Sequence, residues 1–468
     1  MKKILAFGVI GLTGLWIFAV VFLGRTAAIN VEAQLVELNR TMASHSIPVS
    51  VSKQSYEAGF LSSASRVQVI IEPEDQEPLT VEMDLDIRHG PLISTSGGPR
   101  LGAYYIGVTP ELTDALHERK AGAPFLSGFA GRDPISGGVL IDFRGGQTFD
   151  LDLAPFMYSE DGTSVVLENG IVATFSTDEQ FSTLVGSVKV GALSIDRVAE
   201  GSNLDIAAST LTLNISEMYA GSMITGEIDY ALDHAVIKTN GVEHRIAGLS
   251  LRGISGKNDS GIHGTVAVVA DTLSSSDESF KSLFAGPPSA RLDIAYQGLD
   301  ERAVRQYADI NKRVNQRVYG ALLRGEDAAM DALSEQDMRA YVFAMVGLIR
   351  QGFKFDYGIT LGQGDTSSGF KLAVDWVDDE ALIHKKTLRE VLGAIQANLN
   401  LVIGKAFLSG NEQLMQMPVD MGYAVNTSAG IASDARLDRG RLLLNGRALP
   451  YTQILNGAFN QELPWTAW

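Results

Sequence analysis

His89-Gly90-Pro91 lies at the centre of TVEMDLDIRHGPLIS (Thr80 to Ser94) and has the composition of an active-site fragment. A histidine acting as a base needs a nucleophile or a metal within reach, and the surrounding residues supply neither. Glycine and proline directly after it are turn punctuation, because glycine permits unusual φ and proline cannot continue a ladder. The tripeptide therefore reads as the close of a strand, with the imidazole bonding turn backbone or an adjacent strand. The other histidines (His45, His117, His234, His244, His263 and His384) form no HExxH and no short pair on a helix, so no zinc-hydrolase site is predicted. Ser50-Val51-Ser52-Lys53 matches SxxK, but the SDN and KTG companions of that motif are absent, as are GxSxG and GxxxxGK[ST].

Two carboxylate pairs remain. Asp84/Asp86 and Asp150/Asp152 each place two acids on one face of a strand, a geometry open to cation binding or glycoside hydrolysis. The residues between them are apolar, so the acids occupy what should be the wet face. Asp378-Asp379-Glu380 reads likewise as an exposed turn. No catalytic, cofactor-binding or metal-binding residue is assigned, and the chain is expected not to be an enzyme.

The elements that carry these residues are mostly strands. Val81, Met83, Leu85 and Ile87 alternate with Thr80, Glu82, Asp84, Asp86 and Arg88, the pattern of a half-buried strand. The same period of two returns in Val67-Val69-Ile71, Phe149-Leu151-Leu153, Leu211-Leu213-Ile215, Leu292-Ile294-Tyr296, Phe353 to Leu361 and Phe370 to Trp376. Strands with one solvated face, separated by glycine and Asn/Asp/Ser turns, indicate antiparallel sheet.

Helices are predicted in three places. Asp300 caps one with the stripe Val304, Tyr307, Ile310, Val314 and Val318, ending near Gly325. Ser334 with Asp337 forms a capping box before Met338, Tyr341, Val342, Met345, Leu348 and Ile349. The third spans Thr387 to Ala397.

Composition sets the class. A chain of 468 residues with 45% hydrophobic and 20% charged residues and 48 glycines is folded and turn-rich. Its formal charge of -17 repels phosphate backbones, which excludes a nucleic-acid partner. The absence of cysteine removes disulfides, thiolate metal sites and thiol nucleophiles together. Ile4 to Leu23 is a run of uncharged, mostly apolar residues long enough to cross a bilayer of about 30 Å as a helix. It exceeds a signal-peptide core, and Arg25 interrupts the place for a cleavage motif, so it reads as an uncleaved anchor. Lys2 and Lys3 before it, with Glu32 and Glu37 after it, favour a cytoplasmic N-terminus and an exported body. The expected organisation is an anchor over residues 1–24, a β-rich part over 25–290 and a mixed part over 291–468. The fold class is α+β, mainly β: a transmembrane helix, then a large antiparallel sheet body with several covering helices.

Several stretches in order resemble the YdgA-type family of inner-membrane-anchored bacterial proteins, a domain of unknown function. They are the basic N-terminus and span, SYEAGFLSSASRVQVIIEP from Ser55, DIRHGPL from Asp86, ARLDIAYQGLDERAVRQYADINKR from Ala290 and GRLLLNGRALPYTQIL from Gly440. The resemblance implies a periplasmic β-rich body and self-association, and it brings no catalytic residue. A looser architectural likeness, to AsmA-like envelope proteins, implies the handling of lipid. The expectation is a non-enzymatic protein held in the bacterial inner membrane through residues 4–23, binding lipid or another apolar ligand and needing no cofactor. Its rivals are a self-associating envelope scaffold and an unrecognised envelope hydrolase.

Overall fold

The computed structural model describes residues 49–71, 79–95, 98–111, 127–160, 162–220, 222–284, 286–323, 334–362, 367–405, 412–449 and 460–466, with Val36, Asn39 and Arg40. The apolar run at 4–23, His45, His117 and Gly325 lie outside these residues. No described helix is long and apolar enough to cross a membrane. The chain forms two compact units: Met1–Gly191 with Arg313–Leu333, and Ala192–Lys312 with Ser334–Trp468. The division expected at 290/291 falls inside a strand of the second unit.

The first unit contains β1 (Val49–Glu57), β2 (Ser62–Ile71), β3 (Leu79–His89), β4 (Leu92–Thr95), β5 (Gly98–Leu101), β6 (Tyr104–Glu111), β7 (Ile135–Ile141), β8 (Gln147–Leu153), β9 (Phe156–Glu160), β10 (Thr163–Leu167), β11 (Ile171–Thr177) and β12 (Leu184–Val190). Its sheet runs β1-β2-β3-β6-β7-β8-β11-β12, antiparallel throughout. β4 pairs with β5, and β9 with β10. Alternation in β3 is realised as predicted, with Val81 and Ile87 buried and Asp84 and Asp86 exposed. The pairings then line up Ser63, Ile87, Ile106, Val139, Phe149 and Phe175 on one face. Ile87 has no exposed surface and packs with Ala103, Tyr104 and Ile141.

On the opposite face two glycines make room for one ring. Gly107 and Gly138 are paired neighbours, and a Cβ on Gly138 would lie 2.4 Å from Tyr105 Cζ. The buried Tyr105 ring lies against these positions, and the β4–β5 hairpin brings Ile93 against Tyr105 and Leu140. The device returns in the second unit, where a Cβ on Gly264 would meet Tyr296 Cζ at 2.7 Å.

The second unit contains β13 (Leu193–Arg197), β14 (Ser202–Ile206), β15 (Ser209–Tyr219), β16 (Ser222–Thr239), β17 (Val242–Asn258), β18 (Gly261–Ser275), β19 (Ser289–Leu299), β20 (Lys354–Gly362), β21 (Ser368–Trp376), β22 (Ile395–Gly404), β23 (Val425–Asn426), β24 (Gly430–Asp438), β25 (Arg441–Leu444) and β26 (Arg447–Ala448). Consecutive antiparallel pairs join β15-β16-β17-β18-β19-β20-β21-β22-β24-β25. Five helices of the chain are α1 (Glu278–Leu283), α2 (Glu301–Leu323), α3 (Glu335–Val346), α4 (Leu388–Gly393) and α5 (Glu412–Asp420).

Helix starts follow the predicted caps. Asp300 Oδ1 accepts from Ala303 N at 2.9 Å, and both hydrogen bonds of the Ser334/Asp337 capping box are present. Two helical readings need correction. In α3 the stripe is displaced: Met345 is exposed, whereas Ala344 and Val346 are buried. The helix expected over Thr387 to Ala397 stops at Gly393, and Ile395 opens β22. Ladder partners on both sides, β21 and β24, draw Ile395 onward into the sheet, a tertiary choice that outweighs local helical spacing.

The glycine device is testable. Gly138→Ala forces the Tyr105 ring off its seat, and is expected to cost about 1–3 kcal/mol in urea unfolding, as overpacking does. Gly253→Ala is the matched control, because its new Cβ meets nothing closer than 3.9 Å; its midpoint should stay or rise slightly.

Candidate functional site

His89 is buried, and its Nε2 lies 3.2 Å from Ser63 Oγ on the adjacent β2. Its backbone N–H donates to Leu61 O at 3.0 Å, and Gly90 N donates to Ala103 O at 3.3 Å. Gly90 has φ 129°, a value that favours glycine. The tripeptide thus ties the end of β3 to the turn before β2 and to the residue preceding β6. The Ser63–His89 contact could resemble a nucleophile and base, yet both groups are buried in the packed face beside Ile87.

The SxxK residues do not meet. Ser50 and Lys53 lie on β1, where residues three apart point to opposite faces. His234, His244 and His263 occupy separate strands, and His384 lies in a short helical turn. Among the described residues no cluster of three or more His, Asp or Glu side chains is placed to hold a metal ion.

The two aspartate pairs do come together. Ala64, Asp86, Gly107, Gly138, Asp150 and Thr174 form one row across six strands. Over this row runs a trough of about 520 Å³ lined by Asp86, Arg88, Arg100, Tyr105, Asp150 and Asp152 among others. Asp86 and Asp150 in the trough and Asp84 outside its lining have partners, and Asp152 lines the trough without one among the described residues. Arg66 holds Asp84 with two bonds of 2.8 and 3.1 Å, Arg88 holds Asp86 at 2.6 Å, and Thr174 Oγ1 donates to Asp150 at 3.2 Å. Four strands link Asp86 to Asp150, and three strand spacings of about 4.8 Å separate their backbones by roughly 14 Å. Asp86 and Asp150 therefore form no close dyad, whereas Asp150 and Asp152, two residues apart on β8, are separated by about 7 Å along the backbone.

A second trough, about 640 Å³, lies on the polar face of the second unit. Ala267, Ala295, Gly358 and Ala373 form its floor, with Arg291, Asp293, Asp356, Lys371, Asn398 and Asn400 around them. Arg291 and Asp293 are engaged with each other by two 2.6 Å bonds.

The reverse face of that sheet is different in kind. The registers align Leu211, Tyr230, Leu251, Val268, Leu292, Ile359, Phe370 and Leu401 as one row across eight adjacent strands. A parallel row runs Leu213, Ile228, Gly253, Val266, Ile294, Tyr357, Leu372, Leu399, Ala435 and Leu444. In the first row no side chain is fully buried. Ile359 is 41% and Leu401 37% exposed. Together the rows make a band of apolar surface that a folded core alone does not require.

Two polar clusters fix the helical parts, and neither was legible beforehand. Lys257 pairs with Glu217 at 2.6 Å and Glu301 at 3.0 Å. Arg305 bonds both acids and lies 4.7 Å over the Tyr219 ring. Hydrogen bonds from Lys257 and then Arg305 hold the Glu301 carboxyl below its ordinary pKa. Tyr307 and Tyr341 join α2 to α3 through hydroxyls 3.0 Å apart; burial, with the Tyr341 hydroxyl, pushes the Tyr307 phenol up to about 12.

The second cluster gives partners to the Asp378-Asp379-Glu380 turn, in which Asp379 and Glu380 are exposed as expected. Asp378 and Glu380 bond the buried Lys385 at 2.9 and 3.0 Å, and Asp379 accepts from Gln351 at 2.6 Å. Burial pulls the Lys385 ammonium down, but the two acids outweigh it and its pKa is raised. This lysine is held charged, which suits an anchor and not a nucleophile.

The Glu301 cluster has a pH signature. A carboxyl depressed on folding adds stability above its unfolded pKa of about 4.3, and that increment fades as pH falls through the lower folded value. Acid below about pH 4 should therefore loosen the first turn of α2, seen as faster amide exchange there. Glu301→Gln should lose the increment at neutral pH and flatten this window; an unchanged acid profile would remove Glu301 as its source.

No curated protein and no solved structure matches this chain. A family model described as a bacterial protein of unknown function (DUF945) matches residues 1–452, and the chain belongs to that family.

Proposed function

We propose that this protein is a single-pass anchored component of the bacterial cell envelope, with its body on the periplasmic side of the inner membrane, that binds lipid or another apolar ligand without chemistry. The observation that carries the reading is the apolar band of the second unit, whose rows cross eight and ten strands and keep their side chains half exposed. Burying apolar surface yields about 25 cal/mol per Å², so an acyl chain laid along such rows gains affinity without a specific polar contact. The anchor is the apolar run Ile4 to Leu23, and the likeness to the YdgA-type and AsmA-like proteins points to the same compartment.

Self-association is the second reading, because a second copy closing over the same band would bury it equally well. Hydrolysis is the third reading: Asp84, Asp86 and Asp150 are held by arginines and a threonine at ordinary hydrogen-bond distances, and Asp152 lines the trough without such a partner among the described residues.

Photo-crosslinking separates these readings. Full-length protein in vesicles containing a phospholipid with a photoreactive acyl chain should be labelled both in residues 4–23 and in the peptides of β20 to β22. Ile359→Glu with Leu401→Glu, at positions already open to solvent, should lower the strand labelling about tenfold and leave the N-terminal labelling intact. Labelling confined to residues 4–23 would overturn lipid binding by the band, and protein–protein cross-links through it would favour the scaffold.

A further inference from the structure

One end of the first unit is edged with apolar residues on its turns. Four connections meet there: β1–β2, the β4–β5 hairpin between β3 and β6, β7–β8, and β11–β12. Each carries a large apolar side chain in solvent: Phe60 and Leu61, Leu92 and Leu101, Phe143, and Phe181, between 48% (Phe181) and 72% (Leu101) exposed. Leu92 and Leu101 are a cross-strand pair, so the hairpin spends its outward face on two leucines while Ile93 closes over Tyr105 and Leu140. Phe181 holds φ 53°, a left-handed conformation that is costly for a bulky residue. Phe181 also tilts against Phe149 of β8, ring centroids 6.4 Å apart, whereas Leu92, Leu101 and Phe143 are the most exposed, between 58% and 72%.

The geometry identifies what they fit. The tips stand on separate turns across the seven strands from β2 to β12, six spacings of about 4.8 Å or roughly 29 Å in all. A small ligand cannot reach them together, and the cavity of about 620 Å³ beside the β7–β8 and β11–β12 turns is lined by Asp142, Arg144, Asp178 and Glu179 and by none of these tips. A bilayer interface accepts isolated Phe and Leu tips with no complementary pocket. The chain also brings a bilayer within reach. The side chain of Asn39 is bonded to Val51 of β1 at 2.6 and 2.7 Å, so residues 24–38 join the apolar run Ile4 to Leu23 to the unit, and these 15 residues extend to at most about 50 Å. β1 begins at the far end of the unit, only nine residues or about 30 Å away. We propose that this turn end rests on the membrane surface as a second, reversible contact, an inference that depends on the anchored reading above.

The contact is apolar in character. Arg100 and Arg144 are exposed at this end, but Glu57 and Glu179 are exposed there too. Asp142 accepts from Arg144 N and Gly146 N at 2.7 and 2.9 Å, and Asp178 from Ser182 N at 2.6 Å, so these acids serve the turns. With two exposed arginines against four carboxylates this end is net negative, so attraction to anionic lipid is not the source, and binding should persist on phosphatidylcholine alone and at high salt.

The absence of cysteine makes the test direct. Single cysteines at Leu92, Leu101, Phe143 and Phe181, each labelled with an environment-sensitive fluorophore, are placed in the full-length protein in phosphatidylcholine vesicles with or without doxyl-labelled lipid. The exposed Met157 on β9 is the control away from the turns, and Gly11→Cys reports the apolar run itself. The tips are expected to shift to the blue and lose most of their emission to doxyl lipid, with Met157→Cys unaffected. Quenching of the Gly11 label alone would overturn the turn contact and leave the anchor standing. If the Gly11 label is not quenched either, both readings fall. A blue shift at the tips without doxyl quenching means that protein covers them, which also overturns the proposal. Four independent exposed positions guard against one variant failing to fold.

Discussion

Everything in this molecule that resembles a surface for work depends on the register of its antiparallel ladder. The side-chain period of a strand is two, so a slip of one residue would exchange every apolar position with its polar neighbour. The row from Leu211 to Leu401 exists because seven successive pairings agree, each strand contributing one apolar side chain at the same height. Four of these pairings place Ala267, Asp293, Gly358, Lys371 and Asn400 in line on the other face. Trough and band are two sides of one alignment, and neither can be altered by a shift without destroying the other.

Register of this kind is held by side chains that fit only one neighbour. The Tyr105 ring against Gly138 and Tyr296 against Gly264 are such fits, aromatic rings filling the space that glycine leaves beside a paired strand. Hydrogen bonds at strand ends add to them: the backbone of His89 reaches Leu61, and Gly90 reaches Ala103. His89 therefore works as a fastener at the turn end of the first unit, where its imidazole, its backbone and the glycine after it each bond a different segment. Chemistry at such a position would compete with the structural bonds that the residue already makes.

Alternation was legible because it is local. Thr80 to Arg88 carries its own pattern and needs no partner to be read, and Asp300 and Ser334 announce helices through bonds to residues three positions away. What could not be read depends on strands distant in sequence. Asp86 and Asp150 share a trough only after four strands are laid side by side. Asp378 and Glu380 have the composition of a solvated turn, and only the fold shows that they neutralise the buried Lys385. Ile395 follows helical spacing from Val391, yet the open edges of β21 and β24 turn it into a strand.

The contrast between the two charged troughs and the apolar surfaces decides the weight of the functional readings. Arg66 with Asp84, Arg88 with Asp86 and Arg291 with Asp293 are balanced in pairs, whereas Asp152 lines the first trough without such a partner among the described residues. Large apolar side chains also stand in solvent, in the band at Ile359 and Leu401 and at the turn tips Leu92, Leu101 and Phe143. A solvated protein gains nothing by leaving leucines on an outward hairpin face and phenylalanines on successive turns, because each raises the free energy of the exposed state. On the proposed reading that cost is recovered in an apolar environment, and it is the distribution of exposed carbon, more than any titratable group, on which that reading rests.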